Sequence, residues 1–250
     1  MSANGAAMFA RFAFPPNTLG YCGPDAADEL YAYGAALQPA DGGIAHLAKA
    51  FDGAWPYLEV LNTAADHDDP LDERVVEAYW IGNGLLNRVD GHRWGDHLTG
   101  RFTSRGRSAV DRITAAAGTA VPANHAFHVF AVYPWIGLLR EGRAGPEPLR
   151  VMDRCRIRWG RVHAVTGAAA VVESRPLRWD GHRLVLGAPE RERVELGDPA
   201  GPLAGAVAPG DTVALHWDWV CHRLTPRQAA WLRAVTMSQL EASAATPLSV

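Results

Sequence analysis

The sequence predicts an α+β protein: a mainly helical N-terminal domain over residues 1–147, then a small closed β-barrel with a C-terminal helix over 148–250. Apolar residues recur at helical spacing up to about residue 142 and at strand spacing beyond 150. Between the two patterns lies EGRAGPEP (141–148), a linker composition rich in Gly, Pro and charge. Beyond it, turn dipeptides recur at Thr166-Gly167, Asp180-Gly181, Gly197-Asp198 and Pro209-Gly210.

In DAADELYAYGAAL (25–37), Ala27, Leu30, Tyr31 and Ala35 form a stripe, with Pro24 at the start and Asp25 and Asp28 in the first turn. IAHLAKAF (44–51) and SAVDRITAAAG (108–118) read as further short helices. LDERVVEAYWIGNGLLNRV (71–89) repeats the stripe through Val75, Val76, Tyr79, Trp80 and Leu86, weakened by Gly82 and Gly84. NHAFHVFAVYPWIGLLR (124–140) is a buried element that Pro134 ends or kinks. Strands follow at CRIRWGRVHAV, AAVVESRPLRW, HRLVLG, RERVEL and DTVALHWDWVCHRL, five in all and enough for a small barrel. TPRQAAWLRAVTMSQLEA (225–242) is a helix with Thr225 as N-cap and Pro226 in its first position.

Composition narrows the function classes. A net charge of −3 and a pI near 6.4 give no footprint for nucleic acid or an anionic membrane. No run of 18 apolar residues predicts a membrane span, and the N-terminus lacks the regions of a signal peptide. Three scattered cysteines form no disulfide framework, so a cytoplasmic protein with reduced thiols is expected. Phosphate-loop, nucleophile-elbow, Cys-x-x-Cys and His-Glu-x-x-His patterns are absent from the sequence.

Two motifs carry a resemblance. Cys155-Arg156-Ile157-Arg158-Trp159-Gly160-Arg161-Val162 has the spacing Cys-x-x-x-x-Gly-x-Val, and GDTVALHWDWVCHRLTPRQAAWL (210–232) follows the pattern Gly-Asp-x-Val-x-x-His leading into a helix. In that order and separation they resemble the HypC/HupF family of [NiFe]-hydrogenase assembly chaperones, over about 151–236. The resemblance implies an OB-like barrel, HypC-like, and an accessory role in hydrogenase maturation. It also implies binding of the hydrogenase large-subunit precursor or another maturation protein, and an iron centre with cyanide and carbon monoxide ligands on Cys155 and His216. The chain departs from the family in placing the cysteine internally, in Trp159 where the family has proline, and in Trp217 and Asp218 after the histidine.

The residues themselves leave alternatives open. Arg154 and Arg156 favour a Cys155 thiolate if they approach its sulfur. If the segment is a strand, they point to the opposite face and Cys155 is a core thiol. His216, on the face opposite Val213 and Leu215, is either oriented by Asp218 as a ligand or is a surface histidine. Cys221-His222 reads as core packing, because Cys221 continues the apolar row. Weaker metal candidates are Cys22, in the turn NTLGYCGPD, and His125 with His128, which share a face if helical. Asp66, His67, Asp68 and Asp69, and likewise Asp90, His92, Asp96 and His97, read as solvated polar turns. A second function class follows from these weaker candidates: a metal-binding enzyme whose helical domain carries Cys22, His125 and His128, with the barrel as docking module.

Overall fold

A computed structural model describes residues 2–89, 123–132, 135–140 and 145–245. The expected helix over 108–118, Pro134, and the group Asp90, His92, Asp96 and His97 lie outside the described residues, as does the first half of the linker. The architecture is helical in the N-terminal segment, with a closed five-stranded barrel and a long C-terminal helix.

The first helix, α1 (Ala3–Thr18), is the axis of the helical layer and was not legible as a helix in the sequence. Phe9, Ala10, Phe12 and Ala13 are all buried, so its apolar residues surround the axis rather than forming one stripe. Around it pack α2 (Ala27–Gly34), α3 (Gly42–Lys49) and α5 (Glu73–Trp80), with α4 (Trp55–Ala65) against α5. Asp72 caps α5 by accepting from the Arg74 N–H at 2.9 Å. Residues 125–132 form one α-turn, His125–Phe127, running into a π-turn, His128–Val132. After α6 (Trp135–Arg140) comes α7 (Glu147–Cys155).

That last helix corrects the sequence reading. Cys155 ends a helix and does not begin a strand; β1 starts only at Arg158. Glu147 in the first turn and Pro at the start suit helix initiation, which the Gly/Pro composition of the stretch had masked.

The barrel is β1 (Arg158–Thr166), β2 (Ala169–Ser174), β5 (Glu190–Glu195), β7 (Trp219–Arg223) and β6 (Thr212–His216), in that spatial order. All pairings are antiparallel except β5 with β7, where Glu195 meets Trp219 in parallel and closes the ring. Two of the expected strands are each divided. Pro176 separates β2 from β3 (Leu177–Trp179), which pairs with β4 (Leu184–Leu186) as an outlying hairpin. A tight turn at Trp217-Asp218 separates β6 from β7.

Alternation along β6 decides where the site forms. Val213 and Leu215 point into the barrel with Val162, Val172, Val194 and Val220. Ala214 belongs instead to the large apolar cluster that includes Phe9, Phe12, Trp80 and Phe127. The outer face of β6 therefore lies against α1, and His216 on that face is 1% exposed. The C-terminal helix α8 (Pro226–Ala245) opens with a reciprocal cap: the Thr225 N–H donates to Gln228 at 2.9 Å, and the Gln228 N–H to Thr225 Oγ1 at 3.2 Å. Among the described residues no helix is long and apolar enough to cross a membrane.

Gly5 sets the approach of α1 to the start of α5. A Cβ there would overlap the Leu71 carbonyl oxygen and lie 2.7 Å from the Glu73 nitrogen, both of them backbone. Gly5→Ala is therefore expected to destabilise the protein by about 1–3 kcal/mol, read as a lower denaturant midpoint. An unchanged midpoint would show that α1 and α5 are free to separate.

Candidate metal centre

Three side chains from three elements converge where the barrel meets the helical layer. His125 comes from the α-turn, Cys155 from the end of α7 and His216 from the end of β6, and one ligand atom of each lies within 4.8 Å of the others. The Cys155 Sγ is 3.9 Å from His125 Nε2. The two imidazole rings meet edge to face, with centroids 5.3 Å apart.

His216 is oriented by a main-chain carbonyl that the sequence leaves without a helical partner. In α1 the Phe12 carbonyl faces position 16 for its i→i−4 bond, and Pro16 has no N–H to give. His216 Nδ1–H fills that vacancy, donating to the Phe12 oxygen at 2.6 Å. The bond fixes the tautomer, so Nε2 carries the lone pair. That buried nitrogen has no hydrogen-bond partner among the described residues. A neutral imidazole with one nitrogen tied to a backbone carbonyl and the other bare is a prepared metal ligand. The expectation that Asp218 orients His216 is corrected: Asp218 is exposed and pairs with Arg154 at 2.8 Å.

His125 is held from both ends. Its Nε2–H donates to the Cys155 carbonyl at 2.8 Å, and its Nδ1 stands 3.2 Å from the Tyr79 hydroxyl, which donates to the Gly53 carbonyl at 2.8 Å. To ligate through Nε2, the ring would carry its proton on Nδ1 instead, and that N–H would donate a hydrogen bond to the Tyr79 oxygen. Trp80 lines the site, its ring centroid 4.7 Å from that of His125 and 5.6 Å from that of His216.

Electrostatics around the thiol differ from the sequence expectation. Arg154 is engaged with Glu192 at 2.6 Å and with Asp218. Arg156 bonds Asp153 at 2.9 Å and the Arg175 carbonyl at 2.6 Å. With its guanidinium neighbours so occupied, Cys155 is governed by burial, which pushes its thiol pKa up, and the nearby Cys22 thiol adds to the rise. Burial holds both histidines neutral: His125 is lowered to about 4, and His216 is also shifted down.

The other sequence candidates fall elsewhere. His128 stacks near His125, with centroids 6.3 Å apart, yet its Nδ1 is 3.1 Å from the Tyr57 hydroxyl and it is not in the trio. Cys22 is half-buried in the turn after α1, also outside the trio. Cys221 is fully buried in the core. Asp69 works locally, accepting from the Ser2 and Leu71 N–H groups. The joining of His125 to Cys155 and His216 was missed, since nothing in local spacing links positions so far apart.

A model for a protein family of unknown function matches residues 1–248, taking in helices, barrel and all three converging side chains. The chain belongs to DUF6390. No curated protein and no solved structure shows significant similarity to this DUF6390 member.

Two outcomes are expected. Glu192 accepts from both Arg154 and the fully buried Arg158, at 2.6 and 3.2 Å. Glu192→Ala strands the Arg158 charge and is expected to cost about 3–5 kcal/mol in denaturant unfolding; a loss near zero would show that Arg158 finds another anion. The second concerns pH. With His125 and His222 each lowered to about 4, the unfolded chain binds more protons than the native one between that value and the ordinary 6.5. Stability is then fully present above about pH 6.5 and is lost as pH falls toward 4, which denaturant midpoints across that range would reveal. A flat profile would contradict the buried neutral imidazoles.

Proposed function

We propose that this protein is a metal-carrying assembly factor, an accessory chaperone of [NiFe]-hydrogenase maturation that holds a transition-metal centre on His125, Cys155 and His216. The observation that carries the reading is the meeting of Cys155 and His216. These are the residues that the two HypC/HupF-like motifs single out, and they share one site, with Cys155 half-buried and His216 presenting a bare, oriented imidazole nitrogen.

The donor set fits the proposed group. One sulfur and two imidazole nitrogens form a soft-to-borderline set that suits iron or zinc and is wrong for magnesium or calcium. Three protein donors leave positions for further ligands, as a centre bearing cyanide and carbon monoxide requires. Iron in that form is the cargo, and the chain's part is to hold it. His216 offers Nε2 while Phe12 anchors Nδ1, His125 would ligate as its Nδ1–H tautomer with that N–H hydrogen-bonded to the Tyr79 oxygen, and Cys155 would lose its thiol proton to water on ligation. Trp80, beside both imidazoles, stacks on Phe12 with centroids 5.3 Å apart, so the histidine side of the site is lined by aromatic carbon. The partner in this reading is the hydrogenase large-subunit precursor or another maturation protein.

The test is metal content and affinity of the whole chain purified anaerobically, together with hydrogenase activity in cells. The wild-type protein is expected to hold one equivalent of iron or zinc, and Cys155→Ala and His216→Ala to lose it while remaining folded. Pro16→Ala supplies an N–H that competes for the Phe12 carbonyl, so it should weaken metal binding by roughly 10–100-fold without touching a ligand. Full metal binding by Cys155→Ala would remove the centre. Normal hydrogenase activity in cells expressing Cys155→Ala would remove the maturation role.

A further inference from the structure

A cavity of about 510 Å³ opens between α1, the chain that follows α2, and β7, and no member of the trio lines it. Ala3, Ala7 and Arg11, four residues apart along α1, bring one line of that helix to it. The opposite wall is built by an unusual turn. Ala36 adopts φ +57°, a left-handed conformation rare for a residue with a Cβ, and the Leu37 N–H returns to the Ala32 carbonyl at 2.9 Å. The reversal places Ala36 and Leu37 along the rim. Leu37 is 62% exposed yet firmly seated, since a Cβ on Gly201 would come within 2.9 Å of its side chain. Ala7, Met8, Ala36, Leu37 and Pro39 make most of the lining apolar.

One charge enters this lining without a counter-charge. The Arg11 Nε–H donates to the Gly34 carbonyl at 2.7 Å, and Gly34 has no side chain to obstruct it: a Cβ there would lie 3.3 Å from Arg11 Cγ. The guanidinium is thereby fixed, while its two Nη groups have no hydrogen bond or ion pair among the described residues. Each acid nearby is spoken for. Glu73, on the same cavity, accepts from Asn4 at 3.2 Å and lies beyond ion-pair reach of Arg11, and Asp41 takes the Tyr33 hydroxyl at 2.5 Å. Cys221 cannot serve as counter-ion, because burial pushes its thiol pKa up. His222, the remaining polar group of the wall, is held neutral by burial and by the charge of Arg11, so it offers an N–H and no second charge. A fixed, half-buried guanidinium with two free donor groups is matched by the two oxygens of a carboxylate. The apolar wall beside it is matched by a hydrocarbon body.

We infer that this cavity binds a small organic carboxylate, with its oxygens on the Arg11 fork and its aliphatic part against Ala7, Met8, Ala36 and Leu37. The site is separate from the trio and stands whether or not a metal is held there. Its ligand joins α1 to β7 and so adds to the docking of barrel on helices.

Hexanoate and hexanamide serve as probes, alike in length and different in charge, on the full chain at neutral pH. Titration calorimetry should show hexanoate bound roughly 10–100-fold more tightly than hexanamide, the worth of hydrogen bonds between charged groups. Arg11→Gln should abolish that preference. Ala7→Phe fills the cavity from a half-exposed position of α1 and should remove binding of both probes, with thermal unfolding of the free protein unchanged. No binding of hexanoate to the wild-type chain, or equal affinity for the two probes, overturns the carboxylate site even if Arg11→Gln folds poorly. Undiminished hexanoate binding by Ala7→Phe overturns its location. Metal content of the trio is expected to be the same in all three proteins.

Discussion

A single backbone hydrogen bond, from the Trp217 N–H to the Arg154 carbonyl at 2.7 Å, decides whether the barrel and the helix before it bring their reactive side chains together. Cys155 follows the acceptor and His216 precedes the donor, so the bond sets the two side by side. The turn that makes it is held at its other end too, because Arg158 Nη2 donates to the Trp217 carbonyl at 2.7 Å. Glu192 on β5 supplies the counter-charge for Arg154 and Arg158, and its second oxygen accepts from Ser174 at 2.5 Å. Trp217 meanwhile adopts φ +52°, a left-handed conformation costly for a bulky residue, on the order of 1–3 kcal/mol. The strain persists because both main-chain polar groups of that residue are bonded and its ring stacks on Tyr21.

A second constraint comes from the helical side. Two consecutive prolines in the last turns of α1 remove the two N–H groups that the Arg11 and Phe12 carbonyls would have met within the helix. One of these, on Phe12, becomes the anchor for His216. What is ordinarily a defect in a helix is here the means by which a strand residue from 204 positions away is given a fixed tautomer. The neutrality of the imidazoles has the same origin: burial against aromatic rings makes their charged forms expensive, and metal binding needs the neutral ones.

The barrel was legible because half-buried strands alternate and their turns require Gly, Pro, Asn or Asp; the C-terminal helix was legible from its Thr225 cap. The helix α1 was not, since burial on every side erases the amphipathic stripe and Pro15 and Pro16 argue against a helix. The helix α7 was hidden by its Gly/Pro-rich approach, and the apolar set Val151, Cys155, Ile157 and Trp159 suited a strand equally well. Of the site, Cys155 and His216 stood out through motif spacing. His125 stood out only beside His128, because its partners lie at 155 and 216, and pairing across such distances is a property of the fold. The Phe12 carbonyl is invisible to any reading by residue type, although Pro16 is its sequence mark.

The separation of the three donors along the chain also orders events in the life of the molecule. Where ligands sit a few residues apart, an ion can gather an unfolded peptide around itself and drive its folding. Here 125, 155 and 216 belong to a turn, a helix end and a barrel strand, and they become neighbours only once the barrel has closed and docked on α1. Closing loops of that length in a disordered chain carries an entropic cost that an ion meeting one donor at a time does not recover. An ion bound as proposed would thus arrive last, as a guest of a finished fold. From then on it would tie the helical layer to the barrel, so that the two halves would open together or not at all.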